Sequence, residues 1–212
     1  ATDTMVPLST RAAADLATVL GRITNPLGEG VGGLTVQVVD SANQIVSSTA
    51  VSQTAAGSTL GTYQLFVDPT LSTDSQANLR VVVRPGTASS TLPTLEVAMA
   101  PPRAGSATKV DFAFPSQRTP VSFQLPIRGL AASGTTMAVV GAHVQAQVQL
   151  QDQATQQLGV RAIYTATADT DAQGIAKLTL VPAPSGGGNL TYQVAITSPT
   201  VTPFASAQQA VA

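Results

Sequence analysis

The chain has no cysteine and no tryptophan, one histidine, and only 10% charged residues in 212. Each shortage excludes something. Without cysteine there is no disulfide, no thiolate-bound zinc and no cysteine nucleophile. Tryptophan and cysteine would mark antibody domains, and both are missing. A single histidine cannot build a histidine-rich metal site. The net charge is −1 with no basic run. That argues against nucleic acid, whose binding rests on clustered Lys and Arg. No run of about 18 apolar residues exists, so the sequence contains no membrane-spanning helix. No charged segment followed by an apolar one opens the chain, so no secretory signal is read.

What is present is apolar residue at 43%, enough for real cores. Ordinary globular proteins carry roughly 25% charge. A surface this poor in charge must be coated with Thr, Ser, Gln and Ala. Such a coat repels neighbours weakly and is suited to contact with other chains.

One strand pattern is written twice. The first copy runs Gly21-Arg22-Ile23, Gly33-Leu34-Thr35-Val36, Gly61-Thr62-Tyr63-Gln64-Leu65 and then Leu79 to Pro85. The second runs Arg128-Gly129, Gly141-Ala142-His143-Val144, Gly174-Ile175-Ala176-Lys177-Leu178 and then Leu190 to Ile196. Repetition at this period implies an array of small modules. Alternating apolar and polar residues predict strands at 19–24, 34–38, 45–49, 62–67, 79–83, 94–99 and 109–114. In the second half they predict strands at 121–127, 142–150, 160–168, 175–181, 190–196 and 204–211. The expected layout is an N-terminal tail (1–16), a β-sandwich (17–114), a proline-stiffened linker (115–120) and a second β-sandwich (121–212). Residues 11–16 favour one or two helical turns, too short to stand alone.

The spacing resembles the transthyretin-like or carboxypeptidase-regulatory-like modules of bacterial surface proteins, and more loosely bacterial Ig-like repeats. The resemblance is carried by Gly21-Arg22-Ile23, Gly30 to Val36 and Gly61 to Leu65, and in the second half by Val140 to Val144 and Thr170-Asp171-Ala172-Gln173-Gly174. The turn of Thr-Asp, two residues and Gly is clear at 170–174. In the first half Thr54-Ala55-Ala56-Gly57 is its degraded counterpart. The resemblance implies an all-β fold of two tandem Ig-like or transthyretin-like sandwiches and specifies no activity.

The residues that could carry chemistry are few. His143 sits among alternating strand neighbours, so packing or surface display outweighs a Ser-His-Asp role. Asp169 and Asp171, two apart before a Gly turn, are weak candidates for a hard cation, because the acid a calcium loop needs at its end is replaced by Leu180. A hairpin turn in which Asp171 accepts backbone N–H groups is the stronger reading. Some related surface modules carry intramolecular isopeptide bonds. Here only Lys109 and Lys177 offer an amine, and Lys109 with Glu96 is the one conceivable pair. Asp40, Asp68, Asp74 and Asp111 fall at turns or strand ends rather than as a paired set for glycoside hydrolysis. The Gly186-Gly187-Gly188 run precedes a strand and not a helix, so it is a loop and no phosphate cradle.

The expected function is therefore non-enzymatic, without cofactor. It is a structural or adhesive module of an exported bacterial protein, secreted, periplasmic or on the cell surface, acting as spacer or assembly subunit. Its expected partners are other protein chains, including copies of itself through sheet edges. The alternative is a glycan- or peptide-binding module using the loops at 52–60 and 131–139.

Overall fold

The structure is a computed structural model that describes residues 15–69, 78–86, 91–116, 119–130, 133–182 and 190–197, and the backbone of 207–211. Most of the N-terminal tail, Asp74, the 186–188 glycine run, and residues 117–118 and 131–132 lie outside the described residues. The fold is all-β. The chain divides into two compact units, residues 1–115 with 151–162, and residues 116–150 with 163–212.

In the first unit the strands are β1 (Ala17–Thr24), β2 (Thr35–Val39), β3 (Ala50–Val51), β4 (Thr62–Val67), β5 (Leu79–Arg84), β6 (Thr94–Met99), β7 (Ala107–Lys109) and β8 (Phe112–Ala113). β1 pairs antiparallel with β4 and parallel with β7 and then β8. The other sheet runs β3-β2-β5-β6, all antiparallel. Alternation explains the packing. Val19, Ile23, Leu65 and Val67 of one sheet and Val36, Val38, Val81, Val83 and Leu95 of the other are buried, with Phe112 and Phe114. Burial at about 25 cal/mol per Å² of apolar surface is the main term holding such layers together.

The second unit contains β9 (Val121–Pro126), β10 (Arg128–Leu130), β11 (Thr136–Ala138) and β12 (His143–Leu150). A short helix, α1 (Gln153–Gln157), follows and belongs to the first unit, where it packs near β8. Then come β13 (Arg161–Asp169), β14 (Ile175–Leu180), β15 (Tyr192–Thr197) and β16 (Ala207–Val211). Within this unit the strand order is β16-β15-β12-β13, with β14-β9 and β10-β11 as two-stranded pairs. β12 shows strict alternation, with Val144, Ala146, Val148 and Leu150 buried and His143, Gln145, Gln147 and Gln149 exposed.

The same small hydrogen-bond arrangement is built in both units. In the first, the buried Ser52 hydroxyl accepts from the Leu34 N–H and donates to the Val31 carbonyl. In the second, the Thr170 hydroxyl accepts from the Ala142 N–H and donates to the Val139 carbonyl. The Gly33 N–H meets the Ser52 carbonyl as the Gly141 N–H meets that of Thr170. The Ile23 N–H bonds the Gly61 carbonyl, and the Ile127 N–H that of Gly174. Gly33, Gly61, Gly141 and Gly174 all have φ between 71° and 80°, a region open chiefly to glycine.

Four sequence expectations need correction. The counterpart of Thr170 is Ser52, not Thr54, because Ser52 makes the matching bonds; the first unit simply has a longer turn before Gly61. Residues 45–49 form no continuous strand. The Val46 N–H reaches the Val38 carbonyl and the Ser48 N–H reaches the Phe66 carbonyl, so this stretch passes from one sheet to the other before β3. The 109–114 strand is split into β7 and β8 by Asp111, whose carboxylate accepts the Arg22 backbone N–H. Finally, β10, β11 and α1 are additions. The helix exists through a capping box, in which Asp152 accepts the Thr155 N–H and Thr155 accepts the Asp152 N–H.

Candidate functional site

The most distinctive surface of the second unit is the β14-β9 pair, whose two outer edges are treated differently. Register matches Leu178 with Phe123 and Ala176 with Leu125. The Ile127 N–H bonds the Gly174 carbonyl of the β14 side. In an antiparallel ladder, polar backbone groups alternate in direction from residue to residue. Odd-numbered residues of β9 therefore point their backbone groups at β14, and Ser122 and Gln124 point theirs outward.

The outward backbone groups of β14 are closed at Ile175, at Val181 and at the Thr179 carbonyl. The Tyr164 hydroxyl donates to the Thr179 carbonyl at 2.8 Å. The Tyr192 hydroxyl accepts from the Val181 N–H at 2.9 Å and donates to the Val181 carbonyl at 2.8 Å. Ile175 is held by Asp171, whose carboxylate and N–H take its N–H and carbonyl. Burial pushes the phenols of Tyr164 and Tyr192 above the ordinary tyrosine range, so both remain neutral hydroxyls able to make these bonds.

The outward edge of β9 has no such closure among the described residues. Pro120 and Pro126, which lack an N–H, flank the two free donors, those of Ser122 and Gln124. The face that is buried on β14 is open on β9: Ala176 and Leu178 are buried, whereas Val121 is 50% and Phe123 39% exposed. The apolar layer thus runs out at β9 with both its backbone edge and its inner face uncovered.

A second feature lies in the first unit. A cleft of about 520 Å³ is lined by Leu20, Arg22, Tyr63, Lys109, Asp111 and Leu158, among others. Arg22 donates through Nε to the Leu60 carbonyl, so the end of the 52–60 loop borders it. Lys109 pairs with Asp111 at 2.8 Å. Tyr63 donates to the Val110 carbonyl, and burial, with the Asp111 carboxylate second, holds its phenol far above the usual range. The Thr24 and Thr62 hydroxyls both donate to backbone carbonyls. The cleft therefore offers two cations against one carboxylate, which suits an anion, and no nucleophile beside a base.

The remaining sequence candidates fall as follows. Asp171 accepts the N–H groups of Gln173 and Ile175, both at 2.9 Å, and shapes the turn. Asp169 lies instead against His143, Oδ1 to Nδ1 at 2.8 Å, with both side chains more than half exposed. The histidine thus has a carboxylate partner 26 residues on, which neighbouring strands bring together and linear spacing concealed. Among the described residues no group of three or more His, Asp or Glu gathers in metal-binding fashion. Lys109 and Glu96 are not paired with each other: Lys109 meets Asp111, and Glu96 meets Arg80 at 3.0 Å. Asp40 accepts from the N–H groups of Ala42 and Gln44 and serves its own turn.

The sequence matches no family model and no curated protein. Among solved structures, the chain is similar to the Bacillus anthracis TIE protein at 12% identity and a TM-score of 0.29, covering 93% of this chain and 31% of that one. It is similar to a streptococcal ancillary pilin at 12% identity and TM-score 0.31, covering 95% and 60%. It is similar to a shaft pilin of Lactobacillus rhamnosus GG at 8% identity and TM-score 0.29, covering 92% of each chain. The chain thus spans less than two thirds of the length of the first two.

Proposed function

We propose that this chain is a non-enzymatic structural module of an exported bacterial protein, joined to neighbouring chains through a sheet edge. The carrying observation is the β9 edge: free donors and an uncovered apolar inner face, where on β14 tyrosines and Asp171 attend Val181, the Thr179 carbonyl and Ile175. Natural sheets close or charge their edges, because an open one pairs with other chains. The matching Ser52 and Thr170 arrangements favour two tandem sandwich modules of transthyretin-like or Ig-like type, at 17–114 and 121–212. The sparse charge favours close contact between copies or partners. Among the described residues no helix is long and apolar enough to cross a membrane. The test is the light-scattering mass of the full chain from micromolar to millimolar concentration. A rising mass supports assembly; a constant one-copy mass leaves only an inert spacer.

A second reading, a module that binds an acidic glycan or peptide, is favoured by the cleft with Arg22 and Lys109 at its wall. Binding to acidic glycans on an array that is lost in Arg22→Ala and Lys109→Ala would establish it. Signal that survives both changes removes it.

A further inference from the structure

Resting on the assembly reading above, we propose that the occupant of the β9 edge is β9 of a second copy, antiparallel about a two-fold axis through Phe123. The segment is self-complementary in that register. Residues 121, 123 and 125 are Val, Phe and Leu, and residues 122 and 124 are Ser and Gln. Centring on Phe123 sets Phe123 against its own copy and Val121 against Leu125, so the apolar inner faces of both copies continue one layer. Ser122 meets Gln124 in both directions, and each exchanges N–H and carbonyl. These are the residues whose backbone groups point away from β14.

The prolines bound the ladder. Pro120 falls opposite Pro126, so the two residues with no hydrogen to donate face each other. A shift of two places sets Pro126 opposite Ser122, or Pro120 opposite Gln124, and also makes four backbone bonds, so the pattern of cysteine cross-linking is what tells the registers apart. The ladder is therefore limited to four backbone bonds and cannot extend along the edge. Such a contact is isologous and closes as a dimer.

Charge permits it. No residue from Thr119 to Ile127 is charged. The nearest cation on the pair is Lys177 of β14. Its copy lies three strand spacings away, about 14 Å, beyond the ~8 Å screening length at physiological salt. Area sets the strength. Three partly exposed apolar side chains per copy bury well under the ~800 Å² per partner of a standard stable complex. The dimer is therefore weak in dilute solution and forms where copies are concentrated.

The absence of cysteine makes the register directly readable. In Phe123→Cys the two thiols meet at the axis as a non-hydrogen-bonded pair, with Cα atoms about 4.5 Å apart, within the disulfide range of roughly 4.4–6.8 Å. Mild oxidation should link this variant to itself, and should not link Ser122→Cys or Gln124→Cys to itself. A mixture of those two should yield the mixed dimer. The wild-type mass should rise towards a doubling at millimolar concentration. Gln124→Pro, which removes one outward N–H, should hold it at one copy. Phe123→Glu does the same without altering the backbone, in case the proline distorts β9; circular dichroism checks that both are folded. Equal self-linking at 122, 123 and 124, or none at 123, overturns the self-pairing. If the wild-type mass still rises when the Phe123→Cys variant fails to link, assembly through another surface stands and only this occupant is lost. A mass fixed at one copy overturns both.

Discussion

Replacing Tyr192 by Phe removes one oxygen and tests how the β14 edge is closed. That hydroxyl serves both the N–H and the carbonyl of Val181, at 2.9 and 2.8 Å, and Val181 is 2% exposed. A buried backbone group left without a partner costs about 1–3 kcal/mol. Two such groups are orphaned here, while the ring and its packing remain. We expect a loss of about 3 kcal/mol, a large share of a domain stability of roughly 5–15 kcal/mol. With a urea slope of about 2 kcal/mol per M, the midpoint of the second unit should fall by about 1.5 M. Tyr164→Phe is the control. It removes one bond, to the Thr179 carbonyl, and should cost about 1 kcal/mol. Urea titration followed by circular dichroism measures both. A Tyr192→Phe loss no larger than that of Tyr164→Phe would refute the claim that one hydroxyl seals both groups of Val181.

Three further outcomes are expected. Tyr63, Tyr164 and Tyr192 all have phenols raised above the ordinary value, by burial first. Their stabilising contribution is complete below the unfolded phenol value of about 10 and is lost as pH rises through the folded values, so alkali should unfold the protein; absorbance at 295 nm showing all three ionised near pH 10 in a still-folded chain would contradict this. Ser52→Ala and Thr170→Val each strand a buried N–H, of Leu34 and Ala142, and should each cost about 2 kcal/mol; denaturation showing one costly and the other silent would break the equivalence between the units. Asp171→Ala should cost about 1 kcal/mol through the lost turn bonds, and millimolar calcium should leave the melting temperature of the parent unchanged; a calcium-induced rise that Asp171→Ala abolishes would make Asp169 and Asp171 a cation site instead.

What the sequence revealed depended on how far each signal reaches along the chain. β1, β4, β12 and β14 were legible because two-residue alternation is local, and Val144, Ala146 and Val148 point inward as written. The 45–51 stretch was not, because Ser47 and Ser48 use their hydroxyls on backbone groups of β2 and β4, which replaces the ladder that alternation presumes. α1 is five residues long, less than two turns, so no period could show it, although the pair Asp152 and Thr155 was its one local sign. The turn at Asp171 was readable from Thr-Asp-x-x-Gly. His143 with Asp169 was not, since that contact depends on strand register. The β9 edge was hidden for the same reason: whether an edge is open depends on what every other strand does.

Pro120 illustrates the point. Read along the chain, it stiffens a linker. Read across the sheet, it also removes the donor at one end of β9, as Pro126 does at the other. Charge is the usual protection for an edge, and this chain has little to place there, with two lysines in 212 residues. In the first unit the β4 edge is covered by chain instead, the Ser48 N–H and hydroxyl meeting the Phe66 carbonyl and N–H. On β14 tyrosine hydroxyls cover the Thr179 carbonyl and both groups of Val181. On β9, among the described residues, protection is by proline alone, and proline limits the length of a pairing without forbidding it. Two donors between two prolines, above an unfinished apolar layer, restrict what can dock to a short strand of matching pattern.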